Sequence, residues 1–297
     1  MNKIVFYLMN EKGLFVLKNF LTDFTVDNIA FIVISEDKAI EKDYYNNIVM
    51  HCEKNFIKWY NKNDNIPEFN GYKFAIGWRW LISDTKKLIV MHDSILPKYR
   101  GFAPLVSMLT NGEDELGVTA LFASEDYDKG NIIAQEKTHI IYPIRIQDAI
   151  DIVSPLYYKL IKKIFNWILS EEKILGTVQE ERLATYSLWR DEKDYFIDWN
   201  NNSQYIRRKV DAVSSPYLGA RTYLDNNIVI IDEVIECQDL VIENRDVGKI
   251  IFYDHGYPVV VCGEGLIKII KARYLSGKSM LPLNKFRIRF GDKHDII

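Results

Sequence analysis

His92 and Asp128 are the two side chains whose types and positions best suit proton chemistry. His92 closes the apolar run Leu88–Met91 and opens the stiff, basic stretch "HDSILPKYRG". A histidine at the carboxyl end of a buried strand stands where open α/β sheets gather their ligands. Its imidazole can take and return a proton near neutral pH. Taken singly, each residue has a plainer reading. A lone histidine is more often structural, and an acid-rich loop such as "SEDYDKG" is more often a solvated face. Together they say more, because a histidine and a carboxylate from adjacent strand ends can meet. The carboxylate then fixes the imidazole tautomer and faces the positive charge that the ring acquires. No nucleophile elbow, phosphate loop or dinucleotide fingerprint accompanies the pair. A His/Asp pair without a nucleophile points to direct general-base transfer.

The elements that must position this pair follow from hydrophobic pattern. "KIVFYLM" (Lys3–Met9), "IAFIVIS" (Ile29–Ser35), "YKFAIGW" and "KLIVMH" are short continuous apolar runs, as expected of strands covered on both faces. Between the first two, Leu14, Leu17, Phe20 and Leu21 share one helical face, and a long helical pattern runs from Ala39 to Tyr60. "FAPLVSMLTNG" suits a helix closed at Asn111-Gly112. "GVTALFAS" and "NIIAQEKTHI" are two β-rich runs, and "IQDAIDIVSPLYYKLIKKIFNWIL" has helical spacing over several turns. This alternation predicts an α/β layer fold with a mostly parallel sheet. Beyond Leu175 the pattern changes. One helix starts near Asn202 or Ser203, and five short β-rich runs separated by turn residues follow, the signature of a small barrel or sandwich. A linker is expected near Lys173–Leu188.

Composition narrows the function classes. The 297 residues favour two domains, and 48% apolar with 27% charged residues is ordinary for a soluble globular chain. A net charge of −3, from 38 basic and 41 acidic side chains, provides no bulk positive field for nucleic acid. Cys52, Cys237 and Cys262 lie far apart without a CxxC pair, which argues against disulfides or zinc and fits a reducing cytoplasm. No apolar run is long enough to span a membrane, and the N-terminus lacks a secretory pattern.

The stretches "HDSILPKYRG", "NGEDELGVTALF" and "DYDKGNIIAQ", in this order and spacing, closely resemble the folate-dependent formyltransferases. That family includes methionyl-tRNA formyltransferase, glycinamide ribonucleotide transformylase and the sugar-nucleotide N-formyltransferases. The matched positions are His92, Ser94, Leu96, Pro97, Gly101, Gly117, Thr119, Asp128, Gly130, Ile132 and Gln135. "FIDWNNNSQYIRRKVDAVSSPYLGARTYL" likewise resembles the start of the family's C-terminal domain. The resemblance implies a Rossmann-like formyltransferase domain with a mostly parallel sheet over residues 1–180. A small OB-like β-rich domain is implied over 190–297.

It also implies formyl transfer from N10-formyltetrahydrofolate to an amine, without a metal. His92 is then the general acid/base and Asp128 its partner. The folate would lie against Arg79, Trp80, Leu81 and Ile82, largely through backbone groups, and against Ala123, Ser124, Glu125, Asp126 and Tyr127. One of Trp78 and Trp80 is expected to be ordinary packing. One departure stands out: the family's asparagine two residues before the histidine is Val90 here. That amide binds the formyl oxygen as charge develops. Asn10, Asp93, Ser94 and backbone amides are the candidate replacements, and a non-catalytic folate- or nucleotide-binding homologue is the alternative.

Three acceptors compete. Phosphate contacts dominate nucleic-acid binding, yet Glu181–Ile297 carries 17 Lys and Arg against 17 Asp and Glu. A methionyl-tRNA acceptor is therefore the second choice. The purine-pathway enzyme has a glycine-rich phosphate loop after its first strand, where this chain has "MNEKGLF". "LPKYRGFAPL" looks closest to the sugar enzymes of surface-polysaccharide pathways. A nucleotide-linked amino sugar is the expected substrate, met by Asn10, Lys98, Tyr99 and Arg100. Tyr99, Phe102 or Tyr217 could stack on a base or sugar. The strand-rich second domain is a possible homodimer surface.

Overall fold

The structure is a computed structural model and describes residues 2–38, 40–283, 285 and 287–291. The chain divides into two compact units. The first holds the residues up to 189, except 106–113 and 141–147; those two stretches and the residues from 190 onward form the second.

In the first unit the apolar runs become strands β1 (Ile4–Leu8), β2 (Ile29–Ile34), β3 (Trp59–Asn61), β4 (Tyr72–Ile76) and β5 (Leu88–His92), interleaved with helices α1 (Asn10–Asp23) and α2 (Tyr45–Lys54). A two-residue strand β6 (Arg100–Gly101) leads to α3 (Pro104–Asn111), most of which is assigned to the second unit, then β7 (Glu115–Phe122), β8 (Ile132–His139), α4 (Ile146–Leu169) and the two-residue β9 (Tyr186–Ser187). The main sheet has the order β3-β2-β1-β4-β5-β7-β8. Its first five strands are parallel, while β7 and β8 run antiparallel to their neighbours.

The period-two alternation of each strand sorts side chains to the two faces. On one face Phe6 meets Phe20 of α1 with ring centroids 5.1 Å apart, and Phe20 meets Phe165 of α4 at 5.0 Å. On the other, Val5, Tyr7, Phe31, Val33, Ala75 and Leu88 form a second cluster, against which Trp78, Ile82 and Val90 pack. His92 lies two residues beyond Val90 and therefore leaves the sheet on this second face.

Of the helical pattern expected over Ala39–Tyr60, Ala39 lies outside the described residues, and the helix found in the rest is shorter, Tyr45–Lys54. Phe56 takes a left-handed φ of 56° and ends it. Trp59–Asn61 then adds to the open edge of β2, which satisfies backbone groups that a longer helix would have left at the sheet edge.

In the second unit Asn202 caps α5 (Ser203–Ala212): its side-chain oxygen accepts from the Tyr205 N–H at 2.7 Å. The strands β10 (Ala220–Leu224), β11 (Asn227–Cys237), β12 (Ile250–Asp254), β13 (Tyr257–Val261), β14 (Leu266–Tyr274) and β15 (Phe290–Gly291) form an antiparallel sheet of order β12-β13-β14-β11-β10-β15. Its two edges come together. Ile250 N–H donates to the Ile288 carbonyl (3.1 Å) and Phe290 N–H to that of Gly248 (2.7 Å), with a bridge between Lys249 and Arg289. The sheet thus curls on itself, which removes its exposed edges.

Candidate active site

His92 is 7% exposed at the last position of β5. Its Nε2 lies 2.8 Å from the Tyr99 carbonyl oxygen. A carbonyl only accepts, so Nε2 carries the hydrogen. Nδ1 of the neutral ring then holds the lone pair and is the atom that can take a proton. It faces Oδ1 of Asp128 at 3.6 Å. Both side chains are largely buried, at 7% and 13% exposure, so the carboxylate acts on the ring with little solvent screening. The expected pair is assembled.

Asp128 itself has a left-handed φ of 55°. Its Oδ2 accepts from the Gly101 N–H (2.8 Å), which leaves Oδ1 to His92. Gly101 has φ 99°, and a Cβ there would lie 2.5 Å from the Ser187 carbonyl oxygen, so no larger residue brings that amide to the carboxylate. Gly130 is equally constrained: a Cβ would stand 1.7 Å from the Phe122 carbonyl oxygen.

The other matched residues brace the loop after β5. Thr119 Oγ1 donates to the Ser94 carbonyl (2.6 Å) and accepts from the Leu96 N–H (3.1 Å). Gln135 Nε2 donates to the Leu96 carbonyl and to Thr119 Oγ1, both at 2.9 Å. Strands β7 and β8 thus present polar side chains that satisfy an irregular, buried segment.

The stretch 173–188 belongs to the first unit and is no free linker. Thr177 pairs with Ile132, and β9 pairs in parallel with β6. Gln179 Nε2 donates to the carbonyls of Asp128 (2.6 Å) and Gly130 (2.8 Å). Arg100 is 1% exposed. It donates from Nε to Gln179 Oε1 (3.0 Å) and from its terminal nitrogen to Glu181 (2.8 Å) and the Tyr186 hydroxyl (3.3 Å). Burial alone would lower the Arg100 pKa; hydrogen bonds to Glu181 and Tyr186 outweigh it and raise the pKa above the ordinary arginine value. The guanidinium expected to meet an anionic substrate is therefore occupied inside the chain. Gln179, which carries no sequence signature of its own, is the residue that pattern reading missed.

Around Val90 the candidate amide replacements separate. Asp93 is ion-paired to Lys12 and accepts from the Tyr157 hydroxyl (2.7 Å). Burial would raise its carboxyl, but the Lys12 ammonium and the Tyr157 hydroxyl hold it below the usual carboxylate range. Ser94 is fully buried and donates to the Lys98 carbonyl (2.7 Å). Both are occupied. Asn10 differs: it opens α1 with φ 61°, and its Oδ1 is buried with no hydrogen-bond partner among the described residues. Its Nδ2 lies 3.6 Å from where a Cβ on Gly77 would stand, at the end of β4. Lys98 is exposed, and Tyr99 is half-buried with φ 59°.

Of the two tryptophans, Trp78 packs edge-on against Tyr7, with ring centroids 5.1 Å apart, while its Nε1 is buried without a partner among the described residues. Trp80 is 47% exposed, donates to Ser35 Oγ (3.0 Å) and carries Lys62 over its ring at 3.2 Å. Arg79 pairs with buried Asp37 at 2.5 Å. Leu81 is exposed and Ile82 half-buried. On the far side Ala123 N–H donates to the Leu88 carbonyl (2.9 Å), and Ser124 Oγ donates to the Asp126 carbonyl (2.7 Å). Glu125, Asp126 and Tyr127 are exposed, with Tyr127 5.6 Å from the ring of Phe102. The 77–82 loop leaves β4 beside Met91, next to His92, whereas Ala123 lies beside Leu88 at the other end of β5, and the chain returns to His92 at Asp128. A buried donor (Trp78 Nε1) and a buried acceptor (Asn10 Oδ1), both without partners among the described residues, suit a ligand such as a pteridine that alternates donors and acceptors. Among the described residues, no group of three or more His, Cys, Asp or Glu could hold a metal ion, and no helix is long and apolar enough to cross a membrane.

Two family models match the chain: formyl transferase over residues 71–150, and formyl transferase C-terminal domain over 190–288. The methionyl-tRNA formyltransferase of Borrelia recurrentis is 30% identical over 201 residues, covering 67% of this chain and 63% of that protein. The chain therefore spans less than two thirds of the length of such relatives. The bifunctional polymyxin resistance protein ArnA of Wigglesworthia glossinidia brevipalpis is 28% identical over 83% of this chain and 39% of its own. Among solved structures, an N-formyltransferase from Helicobacter canadensis, in complex with folinic acid and dTDP-3-aminofucose, matches with a TM-score of 0.68 at 18% identity. It covers 92% of this chain and 100% of its own. WlaRD, a sugar 3N-formyl transferase solved with dTDP and 5-N-formyl-THF, matches with a TM-score of 0.66 at 21% identity over 93% and 98% of the two chains.

Proposed function

Because the chain belongs to the formyl transferase family, we propose that it moves a formyl group from N10-formyltetrahydrofolate to the amine of a nucleotide-linked amino sugar. The observation that carries this reading is the buried His92–Asp128 pair at the end of β5, with Nδ1 of the ring turned to the carboxylate. The folate supplies the activated formyl carbon, which the acceptor amine attacks; the new N–C bond replaces the one to folate N10. His92 takes the proton that the amine loses and returns it to the departing nitrogen, so no proton is left over. Asp128 stands opposite the positive charge that the ring carries between these steps.

In this reading Asn10 supplies the amide that Val90 cannot. Its Oδ1 is buried without a hydrogen-bond partner among the described residues, and a turn of the amide presents Nδ2 to the formyl oxygen. Asp93 and Ser94 are committed elsewhere. The 77–82 and 123–127 loops hold the folate. Lys98, the Tyr99 edge and the Phe102–Tyr127 pair face the acceptor, with Arg100 acting from inside the loop.

A sugar acceptor is supported by the balanced charge of the C-terminal part of the chain and by the two sugar enzymes whose folds span nearly the whole of it. A methionyl-tRNA acceptor is the second reading, favoured by the names of the curated relatives. Incubation with N10-formyltetrahydrofolate and a panel of dTDP-, UDP- and GDP-linked amino sugars, beside methionyl-tRNA, separates them. Formylation of a sugar amine is the expected result. Formylation of the tRNA alone would move the chain to the second reading.

A further inference from the structure

Both groups that face the two ring nitrogens of His92, the Tyr99 carbonyl and the Asp128 carboxylate, hang from one segment outside the motif that defines the site. Asp128 and Gly130 are gripped through their carbonyls by Gln179 Nε2, at 2.6 and 2.8 Å. Tyr99, whose carbonyl accepts from His92, donates its own N–H to Thr185 Oγ1 at 2.9 Å. Either side of it, Thr185 N–H donates to the Pro97 carbonyl and Arg100 N–H to that of Thr185, at 3.2 and 2.9 Å. Phe102 N–H donates to the Ser187 carbonyl at 2.9 Å. Residues 177–187 therefore run as a strap that fixes the aspartate side through Gln179 and the carbonyl side through Thr185.

The orientation of Gln179 is unambiguous. Two carbonyls can only accept and the Arg100 guanidinium can only donate, so Nε2 faces Asp128 and Gly130, and Oε1 faces Arg100. We propose that Gln179 is a positioning residue: it couples buried Arg100 to the backbone of the Asp128 loop and so sets the distance between Asp128 and Nδ1 of His92. This rests on the assignment of the pair as the proton-handling group, but the tether itself does not depend on the acceptor. Asp128 holds a left-handed backbone conformation, which is sparsely populated for a non-glycine residue and must be imposed by its surroundings. The Gln179 amide contacts that carbonyl and the one two residues later.

The test uses Gln179→Glu beside Gln179→Ala in the full chain. The glutamate keeps an oxygen for Arg100 and the strap's packing, but it has no N–H for the two carbonyls. The readout that needs no turnover is the imidazole nitrogen spectrum of His92 by NMR, assigned against His92→Ala. Wild type is expected to show a single tautomer with hydrogen on Nε2, held there by the Tyr99 carbonyl, and both variants a displaced Nδ1 resonance, because the Asp128 carboxylate no longer stands at its set distance. In the transfer assay both are expected to lose about 10²-fold in kcat, with little change in KM for the folate, as for misplacement of a catalytic group. Val178→Ala, an exposed neighbour in the strap, serves as the unaltered control. A glutamate variant with wild-type His92 resonances would overturn the proposal, and would reduce Gln179 to a partner of Arg100. A wild type inactive on every acceptor would instead strike the transfer reading, while the spectrum still decides the tether.

Discussion

The loop after β5 and the loop after β4 leave the ends of neighbouring strands, yet they are held by different means. Residues 94–102 are tied backbone to backbone to the strap at Thr185 and Ser187, braced by Thr119 and Gln135, and underpinned by an arginine that is 1% exposed. Residues 77–82 are tied by side chains: Arg79 to Asp37, Trp80 to Ser35 and Lys62. Trp80 and Leu81 remain 47% and 80% exposed. The difference suits the proposed roles. With His92 and Asp128 as the proposed proton-handling pair, placement to a fraction of an ångström is required, so their partners are fixed before any substrate arrives. A loop that closes on a bound molecule can leave its apolar surface to be covered by that molecule.

Substitutions sharpen or break this contrast. His92→Ala should have the largest effect, removing roughly 10²–10⁴ of the rate in steady-state transfer assays while folate binding is kept. Asn10→Ala should lower kcat by roughly 10²–10³, the usual loss for one donor to a developing oxyanion. Adding Val90→Asn to that variant should restore much of the activity, because it returns an amide to the position two residues before His92. Failure of the second change to rescue would remove Asn10 from the chemistry.

Asp93→Asn should cost roughly 3–5 kcal/mol in chemical denaturation, because it leaves the Lys12 ammonium buried without its counter-charge. The same pair gives a pH signature. The Asp93 carboxyl is depressed in the folded chain, so its contribution is fully present above the ordinary aspartate value of about 4. It is lost as pH falls further, through the folded value. Wild type should therefore destabilise more steeply than Asp93→Asn below about pH 4. Trp80→Ala should be the mildest change, raising the folate KM by about tenfold, or ~1.4 kcal/mol, with kcat kept. An effect confined to kcat would contradict the division of labour between the two loops.

The sequence made the pair legible because its neighbours are constrained by type. Gly101 and Gly130 sit where a Cβ would strike a carbonyl, and Thr119 and Gln135 satisfy a buried loop, so spacing alone exposes them. The parallel strands were legible as unbroken apolar runs, since both faces of that sheet are covered. The helix of 45–54 was overdrawn because a pattern of apolar residues continues through Ile57 and Trp59, which the sheet edge claims instead. The strap could not be read. "TVQEERLATYS" has the polar composition of a linker, and the value of Gln179 lies in contacts 49 and 51 residues away in sequence. Arg100 misled for a related reason. A basic residue in a loop reads as exposed, and only the fold shows Gln179, Glu181 and Tyr186 closing around it.

The most direct measurement is a single-turnover experiment. Excess wild-type protein is mixed with N10-formyltetrahydrofolate and a nucleotide-linked amino sugar, beside His92→Ala, and the formylated sugar is followed by mass spectrometry. Wild type should convert the sugar amine to its formamide within one turnover, while His92→Ala binds folate and forms almost none. Equal absence of product from both proteins, across every amine tried and with folate bound, would contradict formyl transfer and leave a folate-binding protein in its place.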